Sequence, residues 1–196
     1  MRSVQTFVAA VAAMAGCVAG ADGNVIRVTA QSDNSFNPST VIAKRGDVIE
    51  FHFQPNNHSV VSGSYESPCS PMQLGSGFYS GFLSCQGGEA GRIFRVTVRS
   101  EDPMPFYSSQ GDECPRGMVG LINPNGQKTL DEYRTRAKTL SRAVTPGTTP
   151  YGGELEENTD PSAVRNPDGT VRAAAGALAV PVTGLAAAVA MALLMA

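Results

Sequence analysis

The sequence has no tryptophan, only two histidines and only four cysteines among its 196 residues. Charge of either sign is also sparse, because 15 Lys and Arg stand against 17 Asp and Glu, which gives a formal net charge of −2. Without a basic excess, the chain is not expected to bind nucleic acid. Its length also argues against a multidomain enzyme.

The motifs of common catalytic sites are missing from the sequence. The nucleophile-elbow pattern Gly-x-Ser-x-Gly does not occur, neither histidine has a recognisable catalytic partner, and no glycine-rich phosphate loop opens a helix. The sequence therefore predicts a protein that is not an enzyme. An extracellular hydrolase, the alternative, would need a set of catalytic residues that the sequence does not offer.

The apolar residues are concentrated at the two ends of the chain. Residues 1–21 contain 15 of them and residues 170–196 contain 21, which leaves a middle part that is only about 31% apolar. Arg2, an uncharged apolar stretch and small residues before Asp22 form the pattern of a secretory signal peptide over 1–21. The sequence around Cys17 resembles a weak bacterial lipoprotein signal, which is an alternative interpretation of this segment. The other end of the chain argues against it.

That other end has the pattern of a glycosylphosphatidylinositol (GPI) attachment signal. No charged side chain occurs from Ala173 onwards, and small residues, a spacer and a hydrophobic terminus follow one another. We expect the lipid at Gly169 or Asp168 and removal of 170–196 as a propeptide; a tail anchor is the alternative. Together, the two ends predict a eukaryotic protein on the extracellular face of the plasma membrane or in the cell wall.

The middle divides into a β-rich domain, a helix and a linker. Alternation of apolar and polar residues in 48–53 and 92–99 predicts strands with one buried face, within a β-sandwich over 22–125. Apolar residues spaced by three and four predict an amphipathic helix over 126–144 that packs on the domain. Four prolines, a Gly-Gly pair and few apolar residues predict a disordered stalk over 145–169. The runs expected to form strands are 25–29, 40–43, 48–53, 59–62, 93–98, 105–107 and 118–122.

Three cysteines remain once the signal peptide is removed, namely Cys69, Cys85 and Cys114. In an oxidising compartment two of them are expected to pair, and one thiol is left over. Spacing alone permits any of the three pairings.

An ordered set of motifs between Val25 and Pro124 resembles the cupredoxins, in particular the secreted fungal proteins related to plant phytocyanins. The resemblance implies an all-β, Greek-key β-sandwich (cupredoxin-like) whose loops at one end hold a mononuclear blue-copper site. It also implies a disulfide between Cys69 and Cys114, with Cys85 as the extra cysteine. The motifs are Phe36-x-Pro38, Val41-Ile42-Ala43, Gly46-Asp47-Val48-Ile49-Glu50-Phe51-x-Phe53, Asn57-His58-Ser59-Val60-Val61, Ser67-Pro68-Cys69, Phe106-Tyr107 and Cys114-x-x-Gly117-Met118-Val119-Gly120.

A blue-copper site takes two imidazoles, a thiolate and a weak axial thioether. The resemblance places one imidazole at His58 and the thioether at Met118, but it places Ser108 at the thiolate position and Glu113 at the second imidazole position. Because a serine hydroxyl is a hard, poor donor near neutral pH, type 1 copper is not expected. The four side chains could form a weak Cu(II) or Zn(II) site with low occupancy.

Each of these residues also has a purely structural interpretation. His58 would suit a surface loop, Met118 would pack in the core, Glu113 would lie in a solvated acidic loop, and His52 would face a sheet surface. The tripeptide that begins at Asn57 is the one N-glycosylation sequon with a permitted middle residue, so Asn57 is a predicted glycosylation site.

These expectations combine into a GPI-anchored extracellular cupredoxin-like protein of the cell surface. Its type 1 copper site would be degenerate and without a cofactor, and its role structural, adhesive or ligand-binding. Its expected partners are the plasma membrane, reached through the GPI lipid, and a cell-wall glycan or surface protein. The alternative is a copper-binding electron-transfer or copper-handling cupredoxin, which an intense thiolate-to-copper absorption band would reveal.

Overall fold

The computed structural model describes residues 23–73 and 76–160, and within them the chain forms eleven strands and one helix. The predicted signal peptide (1–21), the predicted lipid sites Asp168 and Gly169, and the predicted propeptide (170–196) lie outside the described residues. The elements are β1 (Val25–Ala30), β2 (Phe36–Asn37), β3 (Thr40–Val41), β4 (Val48–Phe53), β5 (Asn56–His58), β6 (Val61–Ser62), β7 (Leu83–Cys85), β8 (Arg92–Thr97), β9 (Met104–Tyr107), β10 (Val119–Ile122), α1 (Leu130–Ala137) and β11 (Glu154–Glu157).

Two sheets form the body of the domain, and this confirms the predicted β-sandwich. The larger sheet has the order β11-β8-β4-β1-β2 and the smaller one the order β3-β10-β9-β6. Most neighbours are antiparallel, but β1 runs parallel to β4 and β3 runs parallel to β10. Strands β5 and β7 form a separate antiparallel pair at one end.

The main core lies between the two sheets and follows from the alternation in the sequence. In β4, Ile49, Phe51 and Phe53 are fully buried. Phe106 of β9 contacts Phe51 edge to face, with ring centroids 5.4 Å apart. Complete burial of each such side chain stabilises the fold by about 1.5–3 kcal/mol.

A second core lies on the opposite face of the smaller sheet, where α1 covers β10. Because successive side chains of a strand point to opposite faces, Tyr107 of β9 enters this second core while its neighbour Phe106 enters the first. All five tyrosines of the protein belong to the second core or pack against it.

The helix is shorter than the predicted segment 126–144. It begins after Thr129, whose side chain accepts a hydrogen bond from the amide of Glu132, and it ends at Ala137. Tyr133 and Ala137 are buried against the sheet, whereas Leu140 lies beyond the helix and is 40% exposed. The amphipathic pattern therefore identified the packed face but not the end of the helix.

The segment 145–160, which we call the strap, differs from the predicted disordered stalk. Its strand β11 pairs antiparallel with β8 at the edge of the larger sheet, and Tyr151 pairs with Tyr79. Across this edge, Arg95 lies 3.0 Å from Glu156. Opposite charges on paired strands stabilise a sheet, so an acidic, apolar-poor sequence folds here because its partner strand is basic.

The Gly-Gly pair of the strap is a packing feature rather than a flexible linker. Gly152 has φ +73°, and a Cβ atom at this position would collide with the carbonyl oxygen of Gly77. Glycine is therefore needed for the close approach of the two backbones.

No helix within residues 23–73 and 76–160 is long and apolar enough to cross a membrane.

Candidate functional site

His58 and Glu113 meet at one end of the sandwich, where β5 approaches the loop 108–118 between β9 and β10. The Nδ1 atom of His58 lies 3.1 Å from both carboxylate oxygens of Glu113. His58 is fully buried and Glu113 is only 6% exposed. The equal distances fit an Nδ1–H that is shared between the two carboxylate oxygens.

The other ring nitrogen of His58 has a different environment. Its Nε2 atom is buried and has no hydrogen-bond partner among the residues that the structure describes. A buried polar atom without a partner costs about 1–3 kcal/mol. The ring is therefore held in place through Nδ1 alone among its two nitrogens.

Backbone hydrogen bonds hold the loop 108–118 in a closed shape. The amide of Met118 donates to the carbonyl of Glu113 at 2.9 Å, and the amide of Glu113 donates to the carbonyl of Gln110 at 3.0 Å. Gly117 has φ +113°, which glycine tolerates best. This geometry directs the Glu113 side chain towards His58.

The disulfide between Cys69 and Cys114 ties the same loop to the segment after β6, as the resemblance implied. Cys114 therefore points away from His58 and into the second core. Among the described cysteines, Cys85 carries the free thiol, and partial burial raises its pKa above the ordinary value.

Ser108 and Met118 contribute structure to this end of the domain. The Ser108 hydroxyl is fully buried and accepts a hydrogen bond from the amide of Ser59 at 3.3 Å. Met118 is fully buried in the core between the sheets. The core-packing interpretation of Met118 is thereby confirmed, whereas the solvated-loop interpretation of Glu113 is wrong because that carboxylate is buried against His58.

Asn34 is a neighbour of the site that the sequence reasoning missed. With its amide oriented to satisfy both partners, its nitrogen donates to Glu113 at 3.2 Å and its oxygen accepts from Arg116 at 3.0 Å. Asn34 lies in the turn between β1 and β2, so no local sequence signal connects it with the loop 108–118.

A second buried histidine–glutamate pair lies on the outer face of the larger sheet. The Nδ1 atom of His52 is 3.0 Å from Glu89, which also accepts hydrogen bonds from Arg27 and, at 3.2 Å, from Asn158 of the strap. His52 faces the outer surface of the sheet, as expected, but it is covered there and only 4% exposed. Both histidines thus have carboxylate partners, of which the sequence indicated Glu113 for His58 but not Glu89 for His52.

The donor set around His58 does not fit type 1 copper. Position 108 supplies a hydroxyl and position 113 a carboxylate, while the only cysteine in the loop is held in a disulfide. Type 1 copper needs a soft thiolate and two imidazoles. Within the described part of the chain, no group of three or more His, Cys, Asp and Glu residues is arranged to hold a metal ion.

A cavity of about 510 Å³ opens beside the loop 108–118. Its lining is mainly polar and includes one acidic residue, Asp112, and one basic residue, Arg142. The lining residues are Ser109, Gly111, Asp112, Ser141, Arg142, Ala143 and Thr145.

Comparison with known proteins finds two similar sequences from the fungus Arthroderma benhamiae. An "Extracellular serine-rich protein" is 33% identical over 144 residues, which are 73% of this chain and 55% of that protein. This chain therefore spans about half the length of that relative. A "Probable GPI-anchored cupredoxin-1" is 29% identical over 161 residues, which are 77% of this chain and 82% of that protein. No protein-family model matches the sequence.

Among solved structures, the similar ones include an auracyanin from Roseiflexus castenholzii, 16% identical, with a TM-score of 0.38 over 50% of this chain and 94% of that chain. A pseudoazurin from Methylobacterium extorquens is 21% identical, with a TM-score of 0.37 over 61% of this chain and 87% of that chain. The sheet order and the ordered motifs give the domain a cupredoxin-like fold, and its sequence is similar to a fungal protein named as a probable cupredoxin.

Proposed function

We propose that this chain is an extracellular protein of the cell surface, anchored by a GPI lipid, whose cupredoxin-like domain acts without redox copper and without enzymatic activity. Its role is structural, adhesive or ligand-binding, and its partner is a cell-wall glycan or another surface protein. The names of the two fungal relatives, one extracellular and one GPI-anchored, support the location.

The observation that carries the proposal is the bond between His58 and Glu113. A ring nitrogen that donates its hydrogen to a carboxylate has no lone pair for a metal, so Nδ1 is engaged internally. The remaining lone pair, on Nε2, is buried. A copper ion would have to break a hydrogen bond shared by both carboxylate oxygens, and it would find no thiolate in return.

The cavity beside the loop supports the ligand-binding form of the role. Its volume lies within the range of small-molecule sites, and a mainly polar lining suits a polar ligand better than an apolar one. Because the lining contains Asp112 as well as Arg142, a neutral glycan has the matching chemistry.

Copper loading of the purified chain tests the loss of redox copper. With one equivalent of Cu(II), we expect no intense visible thiolate-to-copper band and no tight copper uptake. Either result to the contrary would support the copper-handling alternative and overturn the proposal.

A double substitution tests whether the scaffold still positions the four ligands. We expect Ser108→Cys with Glu113→His to create the blue absorption band, because it restores both the thiolate and the second imidazole. The matched controls are the two single substitutions, each of which lacks one ligand and should remain colourless. A colourless double variant that folds and binds no copper would contradict the assignment of these positions.

Treatment of expressing eukaryotic cells with a phosphatidylinositol-specific phospholipase tests the anchor. We expect release of the protein into the medium, and Gly169→Pro together with Asp168→Pro should abolish surface attachment. Retention on phospholipase-treated cells would favour a tail anchor.

A further inference from the structure

The residue that precedes His58 is placed for a covalent modification. We propose that Asn57 carries an N-linked glycan, that the glycan is attached before the domain folds, and that it covers the loop 108–118. This inference rests on the extracellular route of the proposed function, because the glycan is added in the secretory pathway.

The direction of the Asn57 side chain follows from its place in β5. Adjacent residues of a strand point to opposite faces, and His58 points inwards and is fully buried. Asn57 therefore points outwards, and it is half-buried rather than enclosed. The preceding residue, Asn56, is exposed and has φ +99°, so the chain turns outwards just before the sequon.

The one contact of the Asn57 side-chain nitrogen is compatible with a glycan. Its Nδ2 atom lies 3.3 Å from the side-chain oxygen of Gln110. In the modification, a bond forms between Nδ2 and the anomeric carbon of the sugar, the bond from that carbon to the diphosphate of a lipid-linked oligosaccharide donor breaks, and one amide proton leaves. The second amide hydrogen remains and can keep the bond to Gln110.

The third residue of the sequon, Ser59, determines whether glycosylation comes before or after folding. Ser59 is fully buried, and its hydroxyl lies 2.9 Å from the hydroxyl of Ser109 and accepts a hydrogen bond from the Ser109 amide. Recognition of the sequon requires this hydroxyl, which the folded domain encloses. Glycosylation must therefore precede the docking of β5 against the loop 108–118.

The position of Gln110 places the glycan over the candidate site. Gln110 belongs to the loop 108–118, and its carbonyl accepts from the amide of Glu113. Asp112, two residues further on, has a side chain that is 56% exposed. A bulky, hydrated oligosaccharide at Asn57 would lie beside this carboxylate and would shield the end of the sandwich at which His58 and Glu113 meet.

The test expresses the full chain in a eukaryotic host and follows both its surface location and its mass. We expect peptide-N-glycosidase to remove a glycan from the wild-type protein and to leave an aspartate at position 57. Asn57→Gln should abolish the glycan, whereas Ser59→Thr, which keeps the sequon, should retain it. The unglycosylated chain from a bacterial host serves as the reference for folding.

A second readout tests the coverage of the loop. Carbodiimide labelling should modify Asp112 several-fold more slowly in the glycoprotein than in Asn57→Gln, whereas Asp131, whose side chain is 96% exposed on α1, should react equally in both. A surface-located chain without a glycan would overturn the modification alone, and a chain that never enters the secretory pathway would overturn the proposed function as well. Equal labelling of Asp112 in the two forms would overturn the coverage.

Discussion

The two histidines of this protein make the same bond in different settings. In each, the Nδ1 atom lies within hydrogen-bond distance of a buried glutamate. His58 contacts Glu113 inside one end of the sandwich, and His52 contacts Glu89 on the outer face of a sheet. Sequence reasoning identified positions 58 and 113 together, because the cupredoxin resemblance aligns them as ligands. It did not identify the pair of His52 and Glu89, because no motif connects these positions and the covering residue, Asn158, lies far along the chain.

The bond between His58 and Glu113 should contribute measurably to stability. We expect Glu113→Gln to lower the free energy of unfolding by about 1 kcal/mol, because the amide oxygen can still accept from Nδ1, and Glu113→Ala to lower it by about 2–3 kcal/mol, because a buried N–H is then unsatisfied. Urea denaturation measures both values. The control, Asp112→Asn at the exposed neighbouring position, should change stability by less than about 0.5 kcal/mol. Equal effects of the Gln and Ala variants would contradict the role of the hydrogen bond.

At the scale of elements, strong alternation predicted the strands that form the centre of the larger sheet. The predicted run 48–53 coincides with β4, and the predicted run 93–98 differs from β8 by one residue at each end. The short strands β2, β5 and β7 and the acidic strand β11 were missed. Strands of two or three residues are too short for apolar alternation to show, and β11 is mostly acidic, so neither carries the pattern that identified the longer strands.

The docking of the strap depends on Asn158, which is 1% exposed and donates to Glu89 and to the carbonyl of Ala90. We expect Asn158→Ala to cost about 1–3 kcal/mol of stability, because it removes the two hydrogen bonds that the side chain donates and the one that it accepts from the amide of Asp160. Amide exchange should accelerate in β11 much more than in β4. The control is Thr159→Ala at the adjacent exposed position, for which we expect no change in exchange. Unchanged exchange of β11 in the Asn158 variant would argue against this role.

At the scale of the whole molecule, the second core makes the protein sensitive to alkali. Burial raises the pKa of Tyr133 to about 12 and raises that of Tyr107 further. Ordinary tyrosines in the unfolded chain ionise near pH 10. Between these values the unfolded state releases protons that the folded state retains, so stability is complete below about pH 10 and falls as the pH rises.

We expect the free energy of unfolding to drop by about 2–3 kcal/mol between pH 10 and pH 12 through Tyr133 alone, since one pKa unit corresponds to about 1.4 kcal/mol. Chemical denaturation across this pH range measures the slope. Tyr133→Phe should flatten the slope, whatever its effect on stability at neutral pH. An equally steep slope in this variant would show that other groups dominate.

The docked strap also determines how far the domain can stand from the lipid bilayer. A free segment of 25 residues, 145 to 169, would reach at most about 85 Å, whereas the nine residues from 161 to 169 reach at most about 30 Å. Because Asp160 is held by Arg27 against the larger sheet, the proposed lipid at Gly169 would keep that side of the domain close to the headgroups. With that lipid, the molecules within its range would be those of the outer leaflet and the innermost wall layer, rather than those at the outer boundary of the cell.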